Sequence, residues 1–231
     1  MTGWLLGRYN KKSFIPIKGN TGDQHDRQYP LLPASCKQND AGSLLTVVTP
    51  EQAWQVFQQA DCLYTESQVE AALDAMATSI DQRLSDVNPV VVCLMNGGVV
   101  PFGRLLTRLQ FPLQVDYVHA TRYGAGLRGG ELEWIAGPFM PALGRTVLLV
   151  DDILDEGTTL AAIEERYRVD GAKDIFKAVL TRKDRPRKIS IDVDFVGLEI
   201  PDRYVFGYGM DYKGYLRNAP GIYAVAAGHE K

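Results

Sequence analysis

The sequence predicts an α/β fold: a parallel sheet flanked by helices. Three observations lead there. The runs VVVCLM (90–95), TVLLV (146–150) and IFKAVLT (175–181) are apolar without alternation, as strands buried on both faces require. Segments with helical patterning, VPFGRLLTRL (100–109) and TTLAAIEERYRVDGA (158–172), separate those runs, which places helices on both faces of the sheet. A length of 231 residues, 45% hydrophobic and 23% charged, suits one globular domain with a sizeable core, with or without an appendage.

Along the chain, residues 1–48 carry six Lys/Arg, three Asp and no Glu with little periodicity, and are expected to form a loosely ordered extension before a domain over 49–231. Order begins at TPEQAWQVFQQA, where Thr49 caps, Pro50 suits the first helical position and Gln52 completes a capping box. The pattern repeats at TESQVEAALDAMATSIDQRL with Thr65 and Gln68. There Val69, Ala72, Leu73, Met76, Ile80 and Leu84 make one apolar stripe. LQVDYVHA (113–120) and LEWIA (132–136) read as strands on either side of a glycine-rich stretch. DFVGLEI (194–200) and IYAVAA (222–227) are late strands.

The totals exclude several classes. A net charge of −3 gives no general attraction to nucleic acid or to an anionic membrane surface. Cys36, Cys62 and Cys93 lack CxxC spacing, which argues against a disulfide framework or structural zinc and for a reducing, cytoplasmic setting. No apolar stretch approaches the ~20 residues a membrane-spanning helix needs.

The chemistry concentrates in VLLVDDILDEGTTL (147–160). An apolar strand meets Asp151 and Asp152, then Asp155 and Glu156, then Gly157, Thr158 and Thr159 at a helix start. In parallel sheets ligands bind beyond the carboxyl ends of the strands. A helix start following a glycine offers backbone amides to a phosphate. Adjacent carboxylates suit a ribose diol or a hard cation such as Mg²⁺. Helix capping alone accounts for one or two of these acids, not four within six residues. The segment therefore reads as a phosphosugar cradle.

This stretch resembles the phosphoribosyl-pyrophosphate (PRPP) motif of type I phosphoribosyltransferases. The C-terminal third, with DFVGLEIPD, VFGYGMDY and YLRN in order, resembles the hood of the hypoxanthine-guanine members. The resemblance covers roughly residues 62–226. It implies a PRPP-binding, Rossmann-like core with a small C-terminal hood mainly over 183–220, Mg²⁺ as cofactor, and PRPP and a 6-oxopurine as substrates. It also implies a homodimer or homotetramer. Asp151 and Asp152 are then expected to hold ribose and metal, and Asp155 to act as general base. Glu156, Gly157, Thr158 and Thr159 would cradle the 5′-phosphate. The pyrophosphate would meet Asn96, Gly97 and Gly98, after a cis Met95–Asn96 bond, together with Arg217 and a mobile lid carrying Arg122 and Tyr123. Lys183 would donate to the purine oxo group, Tyr204 would stack on the ring, Val205 would read its edge, and Asp211 would serve a second metal. Arg187 matches a supporting position.

Some positions depart from that pattern. Asn96 stands where Lys or Arg is usual, Arg122 where Ser is usual, Glu156 where a hydroxyl residue is usual, and Thr158 where Lys is common. Glu156 is expected to offer its amide while its carboxylate turns outward. Two other functions share parts of the motif. A regulatory RNA-binding protein on the same fold would need a basic patch, which the acidic balance disfavours. A receiver domain would carry its Asp pair near the chain start.

Overall fold

The computed structural model describes residues 48–122, 132–187 and 189–229. All of the expected extension except Val48, the lid residue Tyr123 and the Arg122 side chain lie outside that set. The described residues belong to one unit, Thr46–Lys231.

Helices α1 (Pro50–Gln59) and α2 (Glu66–Leu84) begin where the capping boxes place them. Thr49 and Thr65 accept the backbone N–H of Gln52 and Gln68, whose side chains accept from the two cap amides. Strands β2 (Val90–Met95), β3 (Gln114–Arg122), β4 (Leu132–Ala136), β5 (Thr146–Leu154), β6 (Asp174–Asp184) and β7 (Phe195–Pro201) form one sheet in the order β4-β3-β2-β5-β6-β7. Every pairing in it is parallel except β3 with β4. Helices α3 (Val99–Leu106) and α4 (Thr158–Val169) follow β2 and β5.

The missing alternation of the apolar runs has a direct cause. Val91, Cys93, Leu148, Val150, Ala178 and Leu180 pack into a core with α2 and α3, whereas Val90, Val92, Val147, Leu149 and Val179 join α4 in a second core. Alternate residues of each strand meet different helices, and both faces are dry. Of the predicted stripe on α2, all but Ala72 are buried. Truncating a fully buried residue such as Leu148 to Ala is expected to cost ~2–5 kcal/mol.

A small sheet stands beside the main one, in the order β1 (Asp61–Thr65), β9 (Gly221–Ala224), β8 (Val205–Phe206). Its core joins Val56 of α1 to Phe206, Tyr212, Ala219 and Val225. β1 is absent from the sequence reading because its partner is β9, far away in the chain, and DCLYT is too short to signal by itself. The small sheet thus recruits residues on both sides of the 183–220 span.

Candidate active site

β5 runs past the predicted TVLLV to Leu154 and carries the acids to the carboxyl edge of the sheet. A turn follows, and α4 starts at Gly157 in the left-handed conformation, φ 78°. That φ favours glycine, and a Cβ there would lie 2.7 Å from Ile191 Cγ2. Unlike α1 and α2, α4 has no side-chain cap. Its first-turn amides are thus left to whatever sits beyond them, and the helix dipole favours an anion there. Asp151, Asp152, Asp155, Glu156, Gly157, Thr158, Thr159, Gly97 and Arg217 line one cavity of about 410 Å³. Residues widely separated in sequence thus converge where the motif predicted a phosphosugar.

Asp152 is 7% exposed and its main-chain carbonyl accepts the buried Thr181 hydroxyl at 2.9 Å. Burial holds the Asp151 carboxyl well above the usual range, and the neighbouring Asp152 charge adds to the effect. Burial also raises Asp152, against hydrogen bonding from Asp151 and the charge of Arg217. Gly97 belongs to the same structure, since a Cβ there would sit 1.9 Å from Asp152 Oδ2. The Met95–Asn96 bond before it is cis, as the resemblance implied. Asn96 is exposed, and the Gly98 amide is engaged by Leu94 O at 2.9 Å.

Asp155 has different surroundings. Lys183 Nζ donates to its Oδ2 at 2.9 Å and Arg185 Nη1 to its Oδ1 at 3.1 Å. Both cations also pair with Asp202 Oδ1, at 3.6 and 3.4 Å. Arg187 acts on the main chain, donating from Nε to Asp155 O at 3.1 Å and from Nη2 to Lys183 O. Arg185 and Asp202 were not expected here. The density of charge in TRKDRPRK was the available signal, but charge runs usually mark a solvated face.

The purine-side residues lie outside the cavity lining. Tyr204 packs in the small-sheet core, 5.5 Å from the Tyr212 ring, and its hydroxyl accepts Lys213 N at 3.1 Å. Val205 is buried and opposes Ala224 on β9. Arg217 reaches the cavity while donating to Gly209 O at 2.6 Å and pairing with Asp211 at 2.6 Å. Asp211 also accepts the Gly214 amide at 2.6 Å.

Among the described residues no group of three His, Cys, Asp or Glu could by itself hold a metal ion. Mg²⁺ does not need one, because it takes one or two carboxylates and completes its shell with waters and substrate phosphates. Asp151 and Asp152 fit that demand, as adjacent carboxylates whose ionised forms are disfavoured by burial. Asp211 is committed to Arg217 and would have to leave it to reach a metal.

A parallel sheet whose edge holds paired acids before an uncapped, glycine-started helix suits a phosphorylated, diol-bearing ligand. The chain matches the family described as phosphoribosyl transferase domain over residues 59–213 and belongs to that family. It is 32% identical to the hypoxanthine-guanine phosphoribosyltransferase of Aquifex aeolicus over 71% of this chain and 93% of the relative. The same-named protein of Bacillus subtilis is 30% identical over 69% of this chain and 89% of its own length. A crystal structure of a Staphylococcus aureus hypoxanthine phosphoribosyltransferase superposes with a TM-score of 0.69 at 28% identity, covering 72% of this chain and 91% of that one. The mixed α/β core and its mostly parallel sheet are the fold of these proteins.

Proposed function

We propose that the chain is a purine-salvage transferase that converts a 6-oxopurine, hypoxanthine or guanine, and PRPP to the nucleoside 5′-monophosphate and pyrophosphate. The observation that carries this reading is the single cavity joining Asp151, Asp152, Asp155, the start of α4 and Arg217. The names of the relatives support the substrate class.

On this reading the first turn of α4, with Thr158 and Thr159, binds the 5′-phosphate, and Gly157 keeps the approach open. Asp151 and Asp152 orient the ribose diol and face the electron-poor ribosyl carbon that forms as pyrophosphate leaves. Both would also hold Mg²⁺, which supplies charge neutralisation on the leaving group when bound. Asn96, Gly97, Gly98 and Arg217 bind the pyrophosphate. Lys183 donates to the 6-oxo group, Tyr204 stacks on the ring and Val205 reads its edge through main-chain atoms. Asp155 takes the ring proton as the new bond forms. The described cysteines, Cys62 and Cys93, are free thiols, which supports work in the cytoplasm, and the assembly on this reading is a homodimer or homotetramer.

The test is turnover with PRPP and Mg²⁺, each of hypoxanthine, guanine, xanthine and adenine being supplied in turn. Nucleotide should form with hypoxanthine or guanine and not with adenine. Use of adenine as well as hypoxanthine would overturn the base-recognition argument, and no turnover with any purine would overturn the reading as a whole.

A further inference from the structure

Asp155 and Asp202 sit on turns after different strands, and two cations rather than one hold both. Lys183 Nζ approaches Asp155 Oδ2 at 2.9 Å, and Arg185 Nη1 takes the opposite oxygen, Oδ1, at 3.1 Å. On Asp202 the two cations share one oxygen, Oδ1, at 3.6 and 3.4 Å. The four groups form a closed square of alternating charge.

The proposed reaction makes conflicting demands on that square. Lys183 must donate to the purine, yet two carboxylates hold its ammonium, and its side chain is only 11% exposed. Were it the sole cation, its departure would leave two carboxylates facing each other unpaired. Two like charges that had shared one cation oppose such a state. Arg185 contacts the same two acids through a single nitrogen, which leaves the rest of its planar fork free to adjust. Arg187 cannot take the part, since its bonds go to the carbonyls of Asp155 and Lys183.

We infer that Arg185 is a positioning residue that releases Lys183 to the purine, keeping Asp155 and Asp202 paired when the lysine turns away. The inference rests on the functional reading above. It assigns Arg185 an effect on the purine side and none on PRPP, because Arg185 is not among the residues lining the phosphosugar cavity.

The experiment is steady-state kinetics on Arg185→Ala, Arg185→Gln and Arg185→Lys, and on the double variant Arg185→Ala/Asp202→Asn, with melting curves for each. The groups are partly exposed, so removing the charge should raise the purine KM about threefold to fivefold, with the PRPP KM within about twofold of wild type. Arg185→Lys should recover most of the loss. Neutralising Asp202 in the Ala background should also recover it, because Lys183 then leaves one acid fewer. A purine KM within about twofold of wild type in both charge-removing variants overturns the inference, as do equal rises in the two KM values. Failure of both Lys and Asp202→Asn to rescue overturns it too, whatever the folding of the Ala variant. A wild type that uses no 6-oxopurine overturns the functional reading and takes the inference with it. Wild-type turnover with unaffected variants overturns the inference alone.

Discussion

Asp151–Asp152 and Asp155 are three residues apart at one strand mouth and have opposite surroundings. In the first pair Asp152 is buried and Asp151 half-buried; desolvation raises both carboxyls, the Asp152 charge adds to the rise on Asp151, and hydrogen bonding from Asp151 and the charge of Arg217 oppose the rise on Asp152. The second is partly exposed and held by Lys183 and Arg185 on both oxygens. Charge on the first pair is poorly compensated until something cationic or diol-bearing arrives, whereas charge on Asp155 is compensated from the outset. The proposed function assigns binding to the acids at one end of the turn and proton removal to the acid at the other. The difference lies in the neighbours: the end of β6 and the turn after it supply Lys183 and Arg185 to Asp155.

The largest expected effect breaks the Asp155 side. Asp155→Asn should lower kcat by roughly 10²–10⁴ while KM for PRPP stays near wild type, measured with saturating purine. A variant keeping more than about half of wild-type kcat would remove Asp155 from the role of base. The next prediction concerns Lys183. Lys183→Ala should cost ~1.5–3 kcal/mol in kcat/KM for hypoxanthine, the range of a hydrogen bond to a charged group.

The Asp151–Asp152 pair makes a prediction about stability. The folded protein holds the protons of Asp151 and Asp152 to higher pH than the unfolded chain does. It therefore binds more protons across the window that opens at the ordinary carboxylate value, and stability falls as pH rises through that window. Without ligand or Mg²⁺, Asp151→Asn and Asp152→Asn should each raise Tm at pH 7 while leaving it nearly unchanged near pH 3, as differential scanning calorimetry would show. A lower Tm at pH 7 would mean that the carboxylates are already compensated. The smallest effect belongs to Glu156. A carboxylate aimed at the 5′-phosphate would oppose it by ~4 kcal/mol at 4 Å with an effective dielectric of 20. Glu156 lines the cavity, and an outward carboxylate predicts that Glu156→Thr changes the PRPP KM by less than about threefold. A tenfold fall would show direct opposition.

What the sequence disclosed follows from locality. Capping at Thr49 and Thr65, the double-faced strands and the Gly157 helix start each depend on neighbours within a few positions, and each stands where it was expected. The strand at Asp61–Thr65 depends on pairing with Gly221–Ala224, and no local pattern announces it. The same limit applies in the site. The cradle was legible because one segment carries it. The Arg185–Asp202 contact joins two turns after different strands, and Asp211 turns to Arg217 through the packing of a hood loop. A side chain's partner is a tertiary fact, even where its presence in the site is not.

The division between the two acid groups is tested most directly by calorimetric titration of PRPP in Mg²⁺ buffer into wild type, Asp152→Asn and Asp155→Asn. The expected result is a Kd for Asp155→Asn within about threefold of wild type and a Kd for Asp152→Asn weakened more than about tenfold, a gap of at least ~0.7 kcal/mol. Equal losses in the two variants, or a greater loss in Asp155→Asn, would contradict it.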